Sequence, residues 1–163
     1  MSTYRVQEIS RDAAIAAEIL ALNNKSAIET SLLDAQELAR MTGTARVATF
    51  IAPNAAFLLA FDQDADYHSS NFIWFRERYD TFLYIDRVIV AEAYRRLGLG
   101  QILYQDLFRR AELLAHKRIA CEVNARPPNP VSDAFHAKLG FVEVGKGTVG
   151  DSSKSVRYLL RDV

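Results

Sequence analysis

The segment "YRRLGLGQIL", residues 94–103, places two arginines and two glycines between an apolar stretch and an amphipathic one. A strand that enters a helix through glycines leaves several backbone N–H groups unpaired at the positive end of the helix dipole. Gly98 and Gly100 let a ligand approach the backbone closely because they have no Cβ. With the cationic Arg95 and Arg96 beside them, these amides predict an anion site, and a phosphate suits it.

The turn departs from the two most familiar nucleotide-binding motifs. The Walker pattern requires Lys followed by Ser or Thr after its second glycine, but Gln101 and Ile102 follow Gly100 here. The dinucleotide fingerprint requires a third glycine, and this chain has Leu103 in its place. A loop that only turns the chain therefore stays an alternative to a phosphate site.

Length and composition limit the classes of protein to which the chain can belong. Its 163 residues favour a single domain, 1–163, and its 20 Lys plus Arg balance its 20 Asp plus Glu, so net charge gives no argument for nucleic acid. A lone Cys121 and the lack of a signal-peptide pattern lead us to expect a cytoplasmic protein. No apolar run reaches the roughly 20 residues of a membrane span. Because His68 and His116 lack ligand spacing, we predict no metal site.

Hydrophobic periodicity predicts a mixed α/β domain, a mixed sheet with helices packed on it. Residues 81–92 form the strongest predicted strand, since they are rich in β-branched and aromatic side chains. Residues 63–80 show no clean period, so we interpret them as an insertion or a long functional loop. The predicted strands are 4–8, 45–52, 55–62, 81–92, 118–123, 141–147 and 155–161, and the predicted helices are 11–23, 32–41, 100–117 and 132–139.

Two segments resemble signatures of the GNAT superfamily of N-acetyltransferases. In "RVIVAEAYRRLGLGQILYQDL", Arg95, Gly98 and Gly100 match its acetyl-CoA motif, Arg/Gln-x-x-Gly-x-Gly/Ala, between the fourth strand and the third helix. "NARPPNPVSDAFHAKLGFVEVG" resembles its Asn-containing turn, short helix and closing Leu-Gly-Phe. The order of elements resembles the GNAT fold along nearly the whole chain, with 63–80 outside the common core. The resemblance implies a central mixed sheet of about seven strands, splayed between the fourth and fifth, and about four flanking helices.

The resemblance also implies acetyl-CoA as the cosubstrate. Its pyrophosphate would lie on the amides from about Leu97 to Ile102, and its pantetheine arm would pair with the main chain of the fourth strand, which requires no particular side chain. Asn124 would bond to the pantetheine or to a water, whereas Asn129 and Ser132 either contact the cofactor or cap the short helix. The implied cofactor-binding residues are Val88, Ile89, Val90, Arg95, Arg96, Leu97, Gly98, Leu99, Gly100, Gln101, Asn124, Asn129 and Ser132.

Acetyl transfer to a primary amine requires a group that removes a proton from that amine. Simple alternation places Tyr84, Asp86, Val88 and Val90 on one face of their strand. If Val90 lies beside the acetyl group, Asp86 and Tyr84 point toward the acceptor, and both are candidate catalytic residues.

Asp86 is the first candidate to bind the ammonium or to receive its proton. The alternative is a structural ion pair with a neighbouring arginine such as Arg87 or Arg78. An acidic residue in an apolar strand is costly unless it is paired or used, and the two readings stay equally open.

Many GNAT enzymes protonate the departing thiolate with a Tyr in the pattern Tyr-x-x-x-Gly-Phe, and this chain has His136 in that position. An imidazole, with an ordinary pKa near 6.5, can donate a proton or a hydrogen bond to the sulfur. The alternative is a structural His136, with water or another group as the acid. Tyr104 is predicted to be a core residue, and Cys121 a small buried residue rather than a nucleophile.

We therefore expect an N-acetyltransferase that moves an acetyl group directly from acetyl-CoA to a small-molecule or amino-acid-like amine, with no nucleic-acid or membrane partner. Residues 67–80 would form a flap that touches the acceptor, a homodimer contact, or a cover for the sheet. Two alternatives stay open for the whole protein: a non-catalytic acetyl-CoA-binding regulator, and an acetyltransferase that acts on a protein or on aminoacyl-tRNA.

Overall fold

A computed structural model describes residues 3–26, 30–150 and 154–163 of the chain. Across these ranges no helix is long and apolar enough to cross a membrane. A 3₁₀ turn at Glu92–Tyr94 accompanies the regular elements. The strands are β1 (Val6–Glu8), β2 (Val47–Ile51), β3 (Ala56–Asp62), β4 (Leu83–Val90), β5 (Arg118–Arg126), β6 (Val142–Val149) and β7 (Lys154–Asp162). The helices are α1 (Ala13–Lys25), α2 (Ala35–Thr44), α3 (Ser70–Arg76), α4 (Leu99–Leu113) and α5 (Pro130–Lys138).

The seven strands form one mixed sheet in the order β1-β2-β3-β4-β5-β7-β6. All neighbours are antiparallel except β4 and β5, which run parallel. Those two strands pair only at Leu83 with Ile119 and at Tyr84 with Ala120, so they diverge toward their carboxyl ends. The mixed sheet and the splayed fourth and fifth strands confirm the expected fold.

Helices cover both faces of this sheet. On one face α4 inserts the fully buried Leu103 and Leu107 into a cluster with Leu58 of β3. On the other face Ile19 of α1 and Leu38 of α2 pack in a second cluster. Because β3 and β4 are covered on both sides, apolar side chains follow one another along them without strict polar alternation.

A β-bulge interrupts β4 at Asp86. Leu59 of β3 pairs with Arg87 and Ala60 pairs with Ile85, so Asp86 is the extra residue on its strand. Ile85 consequently shares a face with the α4 side of the core, while Tyr84 packs in the cluster on the opposite face. The expectation that simple alternation places Tyr84 on one face with Val88 and Val90 is wrong. The inserted residue shifts the alternation by one, so that Tyr84 and Val88 lie on opposite faces of the sheet.

The stretch 63–80, which was predicted as a loop, contains a helix that was not predicted, α3. Ser69 caps it by accepting a hydrogen bond from the N–H of Phe72 at 3.2 Å. Phe72 and Phe75, three residues apart on one helix face, are fully buried against the sheet. The prediction missed this helix because seven residues are too short for a periodic signal, and its stability comes from packing rather than from propensity.

Candidate functional site

The turn between β4 and α4 carries a run of unpaired backbone amides. Arg96 and Gly98 have positive φ angles of 66° and 78°, and Gly98 is the N-cap of α4. In the described part of the chain the N–H groups of residues 96–101 have no backbone partner. The N–H of Ile102, which was expected among the free donors, instead bonds to the Gly98 carbonyl at 3.1 Å, because it closes the first turn of the helix. The amides lie at the positive end of a 15-residue helix, which suits an anion.

The two glycines of this turn differ in how far the surrounding structure requires them. Gly98 has open space around it, but its left-handed backbone strains any residue with a Cβ. Gly100 has no positive φ, and a Cβ there would contact Phe135 at an ordinary 3.5 Å. None of the described residues therefore demands a glycine at 100. The missing Cβ leaves the backbone there open to close approach, and the turn fits a phosphate group on this ground.

Two cavities connect the turn with the gap between β4 and β5. The larger, about 490 Å³, lies beside the turn and is lined by Arg95 and Gly100 among others. The smaller, about 210 Å³, lies in the gap itself and includes Asp86 and Glu122 in its lining. Five residues line both cavities: Val88, Tyr104, Asn129, Ser132 and His136.

Asp86 forms a buried ion pair with Arg87. The Arg87 Nε donates to Asp86 Oδ2 at 2.7 Å, and the two side chains are only 7% and 6% exposed. The Tyr67 hydroxyl donates to the other oxygen, Oδ1. Arg87 is held in turn by Asn23, whose Oδ1 accepts from Nη1 at 2.9 Å. Both oxygens of Asp86 thus have partners, and the arginine is one of the two foreseen in the sequence.

Glu122 on β5 is the second carboxylate in the gap, and it is less completely paired. The Tyr84 hydroxyl donates to Oε1 at 3.0 Å, and the Asn71 Nδ2 donates to the same oxygen at 3.1 Å. The other oxygen, Oε2, is shielded from solvent and has no hydrogen-bond partner among the described residues. The pKa of Glu122 is raised from 4.5 to about 7 because burial and the negative charge of Asp86 outweigh the hydrogen bonds from Tyr84 and Asn71, which lower it.

Tyr84 lies on the face of the sheet opposite to Val88, and it contacts the site through its hydrogen bond to Glu122. It is almost fully buried, and burial raises the pKa of its phenol well above its ordinary value. Its hydroxyl stays protonated at neutral pH and serves as a fixed donor.

His136 has both ring nitrogens engaged. Nδ1 lies 2.8 Å from the carbonyl oxygen of Ser132, which can only accept, so Nδ1 carries the proton. Nε2 then accepts from the Tyr104 hydroxyl, also at 2.8 Å. Burial lowers the pKa of His136, which favours this neutral form. Tyr104 is buried in the core as predicted, yet it also lines both cavities.

A family model described as "Acetyltransferase (GNAT) family" matches residues 33–141, which include the turn, both carboxylates and His136. The chain belongs to the GNAT acetyltransferase family. This membership indicates N-acetyltransferase activity in general and the use of coenzyme A. No curated protein matches the sequence significantly.

Solved GNAT structures have the same fold at low sequence identity. A ribosomal-protein-alanine N-acetyltransferase from Escherichia coli has a TM-score of 0.70 at 15% identity, covering 98% of this chain and 94% of its own. The NatC complex bound to Gag peptide and CoA gives 0.78 at 12% identity, covering 99% of both chains. An aminoglycoside 6'-N-acetyltransferase complexed with coenzyme A gives 0.72 at 14% identity, covering 97% of this chain and 96% of its own.

The polar residues that were expected around the cofactor, Asn124, Asn129 and Ser132, line these cavities. Asn129 caps α5 by accepting from the Ser132 N–H at 3.2 Å, so the capping alternative is present in the structure. Ser132 faces both cavities. Asn124 is exposed and lines the smaller one, within β5 rather than at its end, because β5 continues to pair with β7 as far as Arg126.

Cys121 precedes Glu122 and is buried. Burial raises the pKa of its thiol well above the ordinary value, so the thiol is protonated and a poor nucleophile at neutral pH. Across the described ranges no group of three or more His, Cys, Asp or Glu side chains is arranged to hold a metal ion.

Sequence reasoning missed Glu122, although a signal for it was present. "RIACEV" places an acid in an apolar predicted strand, which is the same cost that singled out Asp86. Applied to both strands, that argument predicts two carboxylates. Which of them is paired depends on Arg87, Tyr67 and Asn71, and only the fold brings those residues together.

Proposed function

We propose that this protein transfers an acetyl group directly from acetyl-CoA to a primary amine of a small-molecule or amino-acid-like acceptor. The observation that carries the proposal is Glu122: a shielded carboxylate with one free oxygen, which lines the cavity in the gap between the splayed strands, next to the cavity beside the turn. A carboxylate with a pKa of about 7 is well matched to removing a proton from an ammonium near neutral pH.

In this proposal the turn holds the cosubstrate by its diphosphate. The amides of residues 96–101 donate to the phosphate oxygens, and the exposed side chains of Arg95 and Arg96 add positive charge. The main chain of β4 beyond Tyr84 has no β5 partner, which leaves an edge on which the pantetheine arm can pair at Val88–Val90. Acetyl-CoA supplies an acetyl thioester, whose carbonyl carbon accepts the amine and whose sulfur departs.

Glu122 acts as the general base in this scheme. Its free Oε2 takes one proton from the acceptor ammonium, and the nitrogen lone pair then forms the new C–N bond as the C–S bond breaks. The acylated nitrogen releases its second proton, which passes through water to the departing thiolate. Tyr84 and Asn71 hold Oε1 throughout. Asp86, with both oxygens bonded, contributes negative charge that raises the pKa of Glu122 and does not itself take the proton.

The departing sulfur needs a proton, and the residues that line both cavities are the candidates to provide it. In the neutral tautomer His136 Nε2 has no proton to give, whereas the Tyr104 hydroxyl has one. That proton is donated to His136 Nε2, and burial raises the pKa of the Tyr104 phenol well above its ordinary value, so the phenol is a poor acid. We therefore assign His136 to holding the Tyr104 hydroxyl, and Tyr104 to stabilising the departing thiolate by turning to donate a hydrogen bond to it, while the proton itself comes through water from the acylated nitrogen. The absence of a reactive thiol at Cys121 is in keeping with direct transfer.

A peptide or protein amine is the second candidate acceptor. A structural neighbour that covers 99% of this chain holds a Gag peptide. The small cavity of about 210 Å³ takes only the reacting end of an acceptor, so it suits both classes at that end. The cytoplasmic location, the single-domain organisation and the homodimer contact stay predictions.

A screen of small amines, amino acids and short peptides with acetyl-CoA, followed by release of free thiol, tests the proposal. We expect steady turnover with at least one small amine, and a loss of about 100-fold or more in kcat for Glu122→Gln with little change in coenzyme A affinity. Tight coenzyme A binding without turnover would favour the regulatory alternative. Normal turnover by Glu122→Gln would remove Glu122 from the mechanism.

A further inference from the structure

We propose that Asn71, carried by the 63–80 insertion, is a positioning residue for Glu122: it fixes which carboxylate oxygen stays free and how readily the carboxyl group releases its proton. The inference rests on the proposed function, because it concerns the group that we assign as the base. It makes the insertion part of the catalytic apparatus rather than a cover for the sheet.

A relay of hydrogen bonds fixes the direction of the Asn71 amide. The Tyr158 hydroxyl of β7 donates to Asn71 Oδ1 at 3.0 Å. With Oδ1 accepting, the Nδ2 end points to Glu122 and donates to Oε1 at 3.1 Å. Tyr84 donates to the same oxygen, so both donors hold one side of the carboxylate and leave Oε2 without a partner.

Packing holds α3, and with it Asn71, in place over β5. Trp74 stacks on Tyr158 with ring centroids 4.2 Å apart and an interplanar angle of 18°. Gly145 and Gly147 of β6 make room for this stack, because a Cβ at either position would overlap the ring of Trp74 or Tyr158. On the outer side the Arg78 guanidinium lies 4.1 Å from the Trp74 ring centroid.

The electrostatic surroundings of Glu122 give Asn71 a defined effect. A hydrogen bond donated to the ionised form lowers the pKa of a carboxyl group. The bonds from Tyr84 and Asn71 lower the pKa of Glu122, against burial and the charge of Asp86, which raise it. The titratable and charged groups that face this site are Tyr84, Asp86 and Arg87 of β4, Tyr67 before α3, Tyr104 of α4, Cys121 of β5, His136 of α5 and Tyr158 of β7.

The primary test is a pH titration of Asn71→Leu, which keeps the approximate volume and removes the donor. Infrared difference spectra against Glu122→Gln report the ionisation of Glu122 directly and require no turnover. We expect a midpoint near 7 in the natural protein and about one unit higher in Asn71→Leu. An unchanged midpoint in a folded variant would overturn the inference.

Kinetics then separate positioning from a merely structural role. A one-unit rise leaves about five-fold less ionised Glu122 at pH 7, so kcat/KM for the acceptor falls about five-fold there and recovers near pH 9. The KM for acetyl-CoA should not change. An equal loss at every pH would indicate structural damage instead and would contradict the inference.

Two further variants complete the design. Tyr158→Phe keeps the stacked ring but frees the Asn71 amide to rotate, and we expect a smaller shift in the same direction; it also serves if Asn71→Leu does not fold. Ser70→Ala alters an exposed position of the same helix and should leave the midpoint unchanged. If the natural protein turns over no acceptor, the proposed function fails while the infrared titration still decides the role of Asn71.

Discussion

The turn at residues 96–101 and the gap between β4 and β5 adjoin each other, and they are built in different ways. The turn consists of adjacent residues, 96–101, and its polar groups are main-chain amides. The hydrogen bonds of the gap come from side chains on four separate elements, those of Asn71, Tyr84, Glu122 and Tyr158. Binding and chemistry should therefore respond to different mutations, which the following predictions exploit.

Gly98→Asp should have the largest effect, and it should act on binding. The backbone at Gly98 has a φ of 78°, and a side chain there places strain and negative charge at the anion site. We expect coenzyme A affinity to fall at least about 1,000-fold, or roughly 4 kcal/mol. Calorimetric titration measures it, and Gly43→Asp, in open space on α2, is the matched control. Retained affinity would mean that the diphosphate lies elsewhere.

Asp86→Asn should damage stability more than any step of transfer. Arg87 is 7% exposed and would lose its carboxylate, which costs about 3 kcal/mol in the free energy of unfolding. Loss of the negative charge should also lower the pKa of Glu122 and move the acid limb of kcat/KM to lower pH. Urea unfolding and a pH–rate profile measure both effects, with the exposed Asp80→Asn as the control. Unaltered stability would show that the ion pair is dispensable.

Glu122→Gln, unlike Asp86→Asn, should make the folded protein more stable at neutral pH. Glu122 has a pKa of about 7 in the folded protein against an ordinary 4.5, so the folded state holds a proton that the unfolded state has already released. Stability of the natural protein should fall as pH rises from about 4.5 to 7, by about 3 kcal/mol, and then level off. Glu122→Gln should not show this fall in stability, because glutamine does not ionise. Unfolding curves at a series of pH values test it, and parallel pH dependences would contradict the raised pKa.

Tyr104→Phe should have the smallest effect of the four. It removes the hydroxyl that faces both cavities and leaves His136 Nε2 without its donor. We expect kcat to fall about ten-fold, with about 1–3 kcal/mol less stability and unchanged coenzyme A affinity. Steady-state kinetics with the best acceptor decide the matter, and Tyr79→Phe, outside the cavities, is the control. Full activity would show that the departing sulfur does not need the Tyr104 hydroxyl.

The sequence predicted what depends on neighbouring residues. The strand, the turn with Gly98 and Gly100, and the long helix follow from local pattern, and so does the mixed sheet. The bulge at Asp86 escaped prediction because it depends on the register between β3 and β4, which no single strand records. The short helix α3 escaped because burial of Phe72 and Phe75, not propensity, stabilises it.

The two carboxylates show where pattern reasoning stops. The free-energy cost of burying a carboxylate singled out Asp86, and the same cost applies to Glu122. The fold gives partners to both oxygens of Asp86 but to only one oxygen of Glu122 among the described residues. Asp86 is followed by Arg87 in the chain, so its ion pair was foreseeable as one of two alternatives. The donors to Glu122 are 38 and 51 residues away, and nothing in the local sequence announces them.

The brief contact between β4 and β5 has a consequence for the protein as a whole. Among the described residues only two backbone pairs join β4 to β5, so a molecule seated in the cleft would act as an additional strand that bridges the halves of the sheet. Amide hydrogen exchange along Ile85–Val90 should then slow, and the melting temperature should climb, in proportion to the logarithm of cosubstrate concentration. Cellular supply of that metabolite would thereby influence how long the folded chain persists.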